Sequence, residues 1–123
     1  MLYLTASGSN NTATGASALY VVTFQGSSDS NNTGNRFQAL RGNITRINNT
    51  PTGVDALHSN TTGNYSHRHW QGSLYNNKTG RNNTAHGQNA MRSNTSGSFN
   101  IALGDSAGFN LITGSNNIEI GHR

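Results

Sequence analysis

The histidines are the residues of this chain whose spacing is most suggestive of chemistry. His67 and His69 alternate along one segment, and His86 takes the position of His69 in the next copy of a sequence repeat. Alternate residues of a strand lie on one face, and neighbouring strands are about 4.8 Å apart, so stacking would bring His69 and His86 to about 5 Å. Imidazole clusters bind zinc or nickel, which makes His67, His69 and His86 weak candidates for a metal site. The alternative, a set of solvated side chains in a degenerate repeat, is favoured, and no cofactor is expected.

Residues for acid–base or nucleophilic catalysis are sparse. The chain has four carboxylates, and none has a second acid nearby in its own repeat: Asp29, Asp55, Asp105 and Glu119. Glycoside hydrolysis needs two carboxylates a defined distance apart, and Ser-His-Asp hydrolases of the nucleophile-elbow type need a sequence that is absent here. Calcium-binding repeats need Asp at fixed positions, where this chain has Asn or Thr. The sequence therefore predicts a protein that is not an enzyme.

Aromatic and basic residues share one position of the repeat. This stripe consists of Tyr20, Arg41, His58, Tyr75, Arg92 and Phe109. If the stripe is exposed, it can engage sugars by stacking and hydrogen bonding. If it points at neighbouring chains, it is an interface, where aromatic residues and Arg are enriched. The interface is the favoured interpretation.

Asn-x-Ser/Thr sequons form two further columns and are possible N-glycosylation sites. They begin at Asn10, Asn31, Asn43, Asn48, Asn60, Asn64, Asn77, Asn82 and Asn94. Glycosylation requires a secretory route with the right transferase. A repeat rich in Asn and Thr for turns and side-chain ladders also produces sequons automatically, so both interpretations stand.

These residues recur because the chain itself repeats. The pair Ala39-Leu40 returns as Ala56-Leu57, Ser73-Leu74 and Ala90-Met91, in steps of about 17 residues. The unit reads roughly Asn-Thr-Ala-x-Gly-x-x-Ala-Leu-x-x-Asn-x-Thr-Gly-x-Asn, and its first copy is four residues longer. Residues 1–10 are a lead-in or a previous coil, and residues 11–123 form a single domain of about six and a half repeats. A short fixed period means that each copy buries its apolar residues only by stacking on the next.

The composition agrees with a stacked repeat better than with disorder. Only 31% of the residues are hydrophobic, which is little for a monomer of 123 residues, yet only 10% are charged. Repetition with oligomer formation explains both values. The formal charge of +4 is scattered along the chain, so an anionic glycan or a cell surface is a better partner than nucleic acid. There is no cysteine and no apolar run long enough to cross a bilayer.

Two Gly-bearing turns in each copy of the repeat predict the coil of an all-β parallel β-solenoid. The Ala-Leu pairs are expected to lie on a facing strand and to supply an inward core ladder of Leu19, Leu40, Leu57, Leu74 and Met91. A second ladder, of stacked amides, is expected at Asn43, Asn60, Asn77 and Asn94. Arg36 and Trp70 replace a Gly of the unit, which marks the places where a surface feature is expected.

The repeat resembles the head repeats of trimeric autotransporter adhesins and related arrays in bacterial surface proteins and tail fibres. The resemblance is carried by Asn11-Thr12-Ala13-Thr14-Gly15, by Asn83-Thr84-Ala85-His86-Gly87, by residues 100–111 and by residues 113–121. It implies a left-handed parallel β-roll in which three chains pack around a shared axis. It also implies a non-enzymatic adhesive or spacer module outside the cell, with itself and host or environmental glycans or matrix as partners. The alternative is a self-polymerising, glycosylated extracellular filament subunit.

Overall fold

The computed structural model describes residues 9–18, 30–41 and 47–122, and these residues form an all-β structure of short parallel strands. Leu19, Tyr20 and Asn43, named above as site or ladder residues, lie outside the described residues. The strands are β1 (Thr12–Thr14), β2 (Thr33–Asn35), β3 (Thr50–Pro51), β4 (His67–Arg68), β5 (Thr84–His86), β6 (Ile101–Leu103) and β7 (Ile118–Ile120).

Each strand pairs with the next one along the chain, which is the arrangement of a solenoid. In the five-stranded sheet from β3 to β7 the partners are 17 residues apart, as Thr50 opposite His67 illustrates. The first two strands, β1 and β2, pair in a separate sheet with Thr12 opposite Thr33, a register of 21 residues. The Thr33 N–H donates to the Asn49 carbonyl at 2.9 Å, which joins the two sheets. The predicted all-β parallel solenoid with about 17 residues per coil is confirmed.

The Ala-Leu segment of each coil is a turn, so the predicted facing strand is wrong. Leu40, Leu57, Leu74 and Met91 all have a left-handed backbone, with φ between 48° and 59°. A strand would send adjacent Ala and Leu side chains to opposite faces. The left-handed residue instead lets Ala56 and Leu57 both be fully buried. Burial of the larger side chain contributes about 2 kcal/mol and offsets the cost of about 1–2 kcal/mol of that conformation.

The core is a narrow column of these turn residues facing the inward side chains of the strands. Leu40, Leu57, Leu74 and Met91 have no exposed surface. Their N–H groups donate to the carbonyl of the next coil, as Leu74 does to Ala90 at 2.9 Å and Met91 to Ala107 at 2.9 Å. The middle residues of β5 and β6 are Ala85 and Ala102, and small residues suit a core this thin. Arg68 takes the same inward position in β4 and is only 2% exposed.

Stacked amides lie three residues after the left-handed Leu or Met in three successive coils. Asn77 donates to Asn60 Oδ1 at 3.1 Å, and Asn94 donates to Asn77 Oδ1 at 3.0 Å. Each of the three amides also donates to a Gly carbonyl three residues further on, such as Asn77 to Gly80 at 2.9 Å. A Cβ at Gly80 would meet the Gly97 carbonyl oxygen and Asn77 Oδ1, so this turn requires glycine.

A second column of buried Asn side chains, at the start of each repeat, was not predicted. The Asn83 side chain accepts the Asn100 N–H at 3.0 Å and donates to the Gly97 carbonyl at 2.8 Å. Asn49 and Asn100 donate to Gly63 and Gly114 in the same way. In the coils of β3 and β5, the two columns therefore both hydrogen-bond to the turn glycine, Gly63 or Gly97, and tie the strand to that turn. In the part of the chain that the structure describes, there is no helix with the length and apolar character that spanning a membrane requires.

Candidate functional site

The outward face of the parallel sheets changes character along the solenoid. The first and third residues of the strand segments point outward, because the middle residues Ala85 and Ala102 are buried and β7 pairs with β6 in register. The outward pairs are threonines in the coils of β1 and β3, and histidines in the coil of β4. In β6 and β7 they are Ile101 with Leu103 and Ile118 with Ile120. One face thus presents a polar zone, an imidazole zone and an apolar zone.

The apolar zone is a contiguous block of four side chains, called here the C-terminal apolar patch. Ile101 lies opposite Ile118, and Leu103 lies opposite Ile120. The exposed fractions are 39% for Ile101 and Leu103, 68% for Ile118 and 75% for Ile120. The alternation of these residues was visible in the sequence, but period two alone does not say which side of a strand is buried. The patch was therefore missed as a candidate site.

The structure brings two of the three predicted metal-binding histidines together. The ring centroids of His69 and His86 are 5.3 Å apart, as the stacking of equivalent residues requires. His67 lies on β4 opposite Thr84, on the same outward face. Within residues 9–18, 30–41 and 47–122, no group of three His, Cys, Asp or Glu residues has the arrangement of a metal site.

A tryptophan completes the cluster instead. The Trp70 ring lies 6.3 Å from the His69 ring and 6.5 Å from the His86 ring, the latter edge to face at 82°. Trp70 is 53% exposed and stands where the unit has a Gly. The interruption of the repeat therefore creates an aromatic surface cluster beside the imidazole zone.

The aromatic and basic stripe forms a stack within the chain. The rings of His58 and Tyr75 are parallel within 4° at 4.8 Å, and the Arg92 guanidinium carbon is 5.4 Å from the centre of the Tyr75 ring. Since His58 belongs to the preceding coil and Arg92 to the following one, both faces of Tyr75 are covered. Arg41 is exposed and Phe109 is half-buried. The stripe therefore offers ring edges and charges to a partner, and Tyr75 offers no free ring face.

The sequon residues fall into two structural classes. Asn60, Asn77 and Asn94 are fully buried, and their side-chain nitrogens are hydrogen-bond donors in the amide ladder. The remaining described sequons are accessible: Asn10 and Asn31 are exposed, and Asn48, Asn64 and Asn82 are half-buried. A glycan on the folded chain is thus compatible with the second class only.

A cavity of about 270 Å³ opens between two departures from the repeat, and it is called here the Arg36–Trp70 cavity. Arg36, Gly53 and Trp70 occupy the same repeat position in successive coils, so Gly53 is the gap between two large side chains. Thr52, His69 and Gln71 also line the cavity. The sequence pointed to Arg36 and Trp70 singly, and stacking makes them two walls of one site.

Comparison with known proteins adds no relative. No family model, no curated protein and no solved structure matches this chain.

Proposed function

We propose that this chain is a non-enzymatic structural and adhesive module of an oligomeric fibre outside the cell. In this proposal three copies, each a left-handed β-roll, associate in parallel through the C-terminal apolar patch. The observation that carries the proposal is the patch itself, in which four aliphatic side chains with exposed fractions of 39% to 75% lie side by side on two paired strands.

Further copies of this chain are the partners that best suit this patch. Contiguous exposed apolar surface rimmed by polar residues marks an interaction site. The patch lies on the flank of the coil stack rather than at its axis, so the same patch on parallel copies can meet around an axis that runs along the rod. Ile and Leu side chains offer no charge or hydrogen bond by which to select a different partner. The resemblance of residues 100–121 to the head repeats of trimeric adhesins supports three chains and the left-handed coil.

The internal bonding supports a mechanical role. Backbone bonds join the coils along the described stack, and two sets of side-chain bonds add to them. The Asn60–Asn77–Asn94 ladder joins three successive coils, and the column at the start of the repeat adds bonds such as Asn83 to Asn100. Cross-links of this kind make a stack resist bending, while its exposed turn positions display polar groups, as adhesive loops do on a rigid scaffold.

The test is the molar mass of the chain in solution, measured by light scattering on a sizing column. The wild-type chain is expected to run as three copies, and Ile118→Thr/Ile120→Thr as one copy. Threonine is the outward residue at these positions in β1 and β3, so the variant retains strand propensity. Ile112→Thr removes a side chain of similar exposure, 54%, outside the strands and is expected to remain trimeric.

A monomeric wild-type chain, or an unchanged mass for the double variant, would contradict the proposal. A two-chain species would contradict the trimer and retain the patch as the interface. An open series of higher masses would favour the glycosylated filament. Intact mass spectrometry of material from the native source would then be expected to find glycans on the accessible sequons.

A further inference from the structure

The Arg36–Trp70 cavity has the parts of a binding site for an acidic sugar. Its two walls are the cationic Arg36 and the aromatic Trp70, and its floor is Gly53, which has no side chain. The two walls are separated by two coil spacings, which is about 9.6 Å. A pyranose ring that bears a carboxylate matches a slot of about this width, because its ring contacts the indole while its carboxylate reaches the guanidinium.

Arg36 occupies its wall at a conformational cost. Its φ is +98°, in a region that favours glycine, and the equivalent Gly15, Gly104 and Gly121 also have positive φ. Nothing in the repeat requires a side chain there, since the coils other than those of Arg36 and Trp70 have Gly at this position. Backbone strain at a non-Gly residue clusters at ligand sites, where the side chain does something that glycine cannot.

Trp70 is held so that its ring remains available. His86, from the following coil, contacts the ring edge to face, and His69 contacts it from the adjacent position. His86 lies toward the following coil, whereas the cavity lies toward Gly53 of the preceding coil, and His69 is one of the residues that line it. A residue 53% exposed with two fixed neighbours is a preorganised stacking surface, which lowers the entropy lost on binding.

The remaining lining residues supply hydrogen bonds of the kind sugars need. Thr52 carries a hydroxyl, Gln71 an amide and His69 an imidazole, and no described residue of the lining is acidic. The net charge of +4 favours an anionic partner in addition. At Tyr75 the predicted sugar-stacking stripe lacks such a surface, because both faces of that ring are covered by His58 and Arg92.

We infer that the Arg36–Trp70 cavity binds one carboxylate-bearing pyranose of an acidic glycan, with its ring on Trp70 and its carboxylate on Arg36. The inference rests on the adhesive part of the proposed function, and it names an acidic glycan as the class of ligand. It needs only one chain, because every residue of the site belongs to the same stack.

The experiment uses the fluorescence of Trp70, which is the only tryptophan of the chain. The probes are a glucuronate-containing disaccharide and a sialylated trisaccharide, which separate the two common sources of the carboxylate. The matching neutral sugars serve as ligand controls. A saturable change of emission with at least one acidic probe is expected, with affinity at least 10-fold weaker for its neutral counterpart.

One variant tests the cationic wall, and a second is its matched control. Arg36→Gly is expected to weaken acidic-sugar binding at least 10-fold without lowering the melting temperature, because glycine relieves the positive φ. Arg81→Gly makes the same change of charge at an exposed residue in another corner and is expected to bind as the wild type does. Loss of binding in both variants, equal binding of neutral and acidic sugars, or no saturable signal would overturn the inference.

The result of the sugar titration can be separated from the result of the molar-mass test of the trimer. The titration is repeated on Ile118→Thr/Ile120→Thr, in which the cavity is intact. Binding to this variant is expected whether or not the wild-type chain is a trimer. Absence of binding in a chain of trimeric mass would overturn the acidic-sugar site alone.

Discussion

Removal of one amide from the Asn ladder is expected to destabilise the solenoid strongly. Asn77 has no exposed surface, donates to Asn60 Oδ1 and to the Gly80 carbonyl, and accepts from Asn94. The Gly97 carbonyl receives two side-chain donors, Asn83 and Asn94. In the coil of Asn77, the first position of the repeat is Ser66 instead of Asn. Among the described residues, the Gly80 carbonyl therefore has one side-chain donor, which is Asn77.

The magnitude of this effect follows from the three bonds. The bonds to Asn60 and Asn94 contribute about 1 kcal/mol each, and a buried carbonyl left without a donor costs about 1–3 kcal/mol. Asn77→Ala is therefore expected to lower the free energy of unfolding by about 3–5 kcal/mol, a large share of the about 5–15 kcal/mol typical of a domain. The melting temperature should fall by more than about 10 °C at about 4 °C per kcal/mol.

The assay is denaturant unfolding followed by far-ultraviolet circular dichroism at one protein concentration, because association adds to apparent stability. Asn76→Ala is the matched control, since it removes the same atoms from the neighbouring, half-buried residue. It is expected to change the free energy of unfolding by about 0.5 kcal/mol or less. If the two variants agreed within about 1 kcal/mol, the ladder would not be the stabilising element described above.

Three further variants probe the core, the tight turn and the irregular coil, each measured by the same unfolding assay. Leu57→Ala empties part of a fully buried column and is expected to cost about 2–5 kcal/mol, and a loss below about 1 kcal/mol would contradict the core. Gly80→Ala places a Cβ against the Gly97 carbonyl oxygen and is expected to cost about 3 kcal/mol or more, so a fully stable variant would refute the close approach. Ser66→Asn/Arg68→Ala copies the Asn83 and Ala85 pair of the next coil and is expected to gain about 1–2 kcal/mol, because a second donor reaches the Gly80 carbonyl; any loss of stability would contradict this.

The candidate surfaces show how far residue types predict a site. The stacking of His69 on His86 follows from the period, and it is observed at 5.3 Å. Their partnership with Trp70 does not follow, because it depends on how three side chains share the space beside one strand. The C-terminal apolar patch was hidden for a related reason. Ile118 and Ile120 look like core residues in the sequence, and only the side taken by Ala102 and its neighbours shows that they point outward.

The register of 17 residues, the parallel pairing and the Asn60–Asn77–Asn94 ladder were all present in the sequence, because a strict repeat can bury its apolar residues and satisfy its amides only by stacking like upon like. The tertiary structure decided that the Ala-Leu pairs turn instead of extending. It also decided that the aliphatic pairs of β6 and β7 face solvent, and that Arg36 and Trp70 enclose one cavity. These features depend on the sign of φ and on which side of each strand the narrow core lies, and a periodic pattern is the same for either choice.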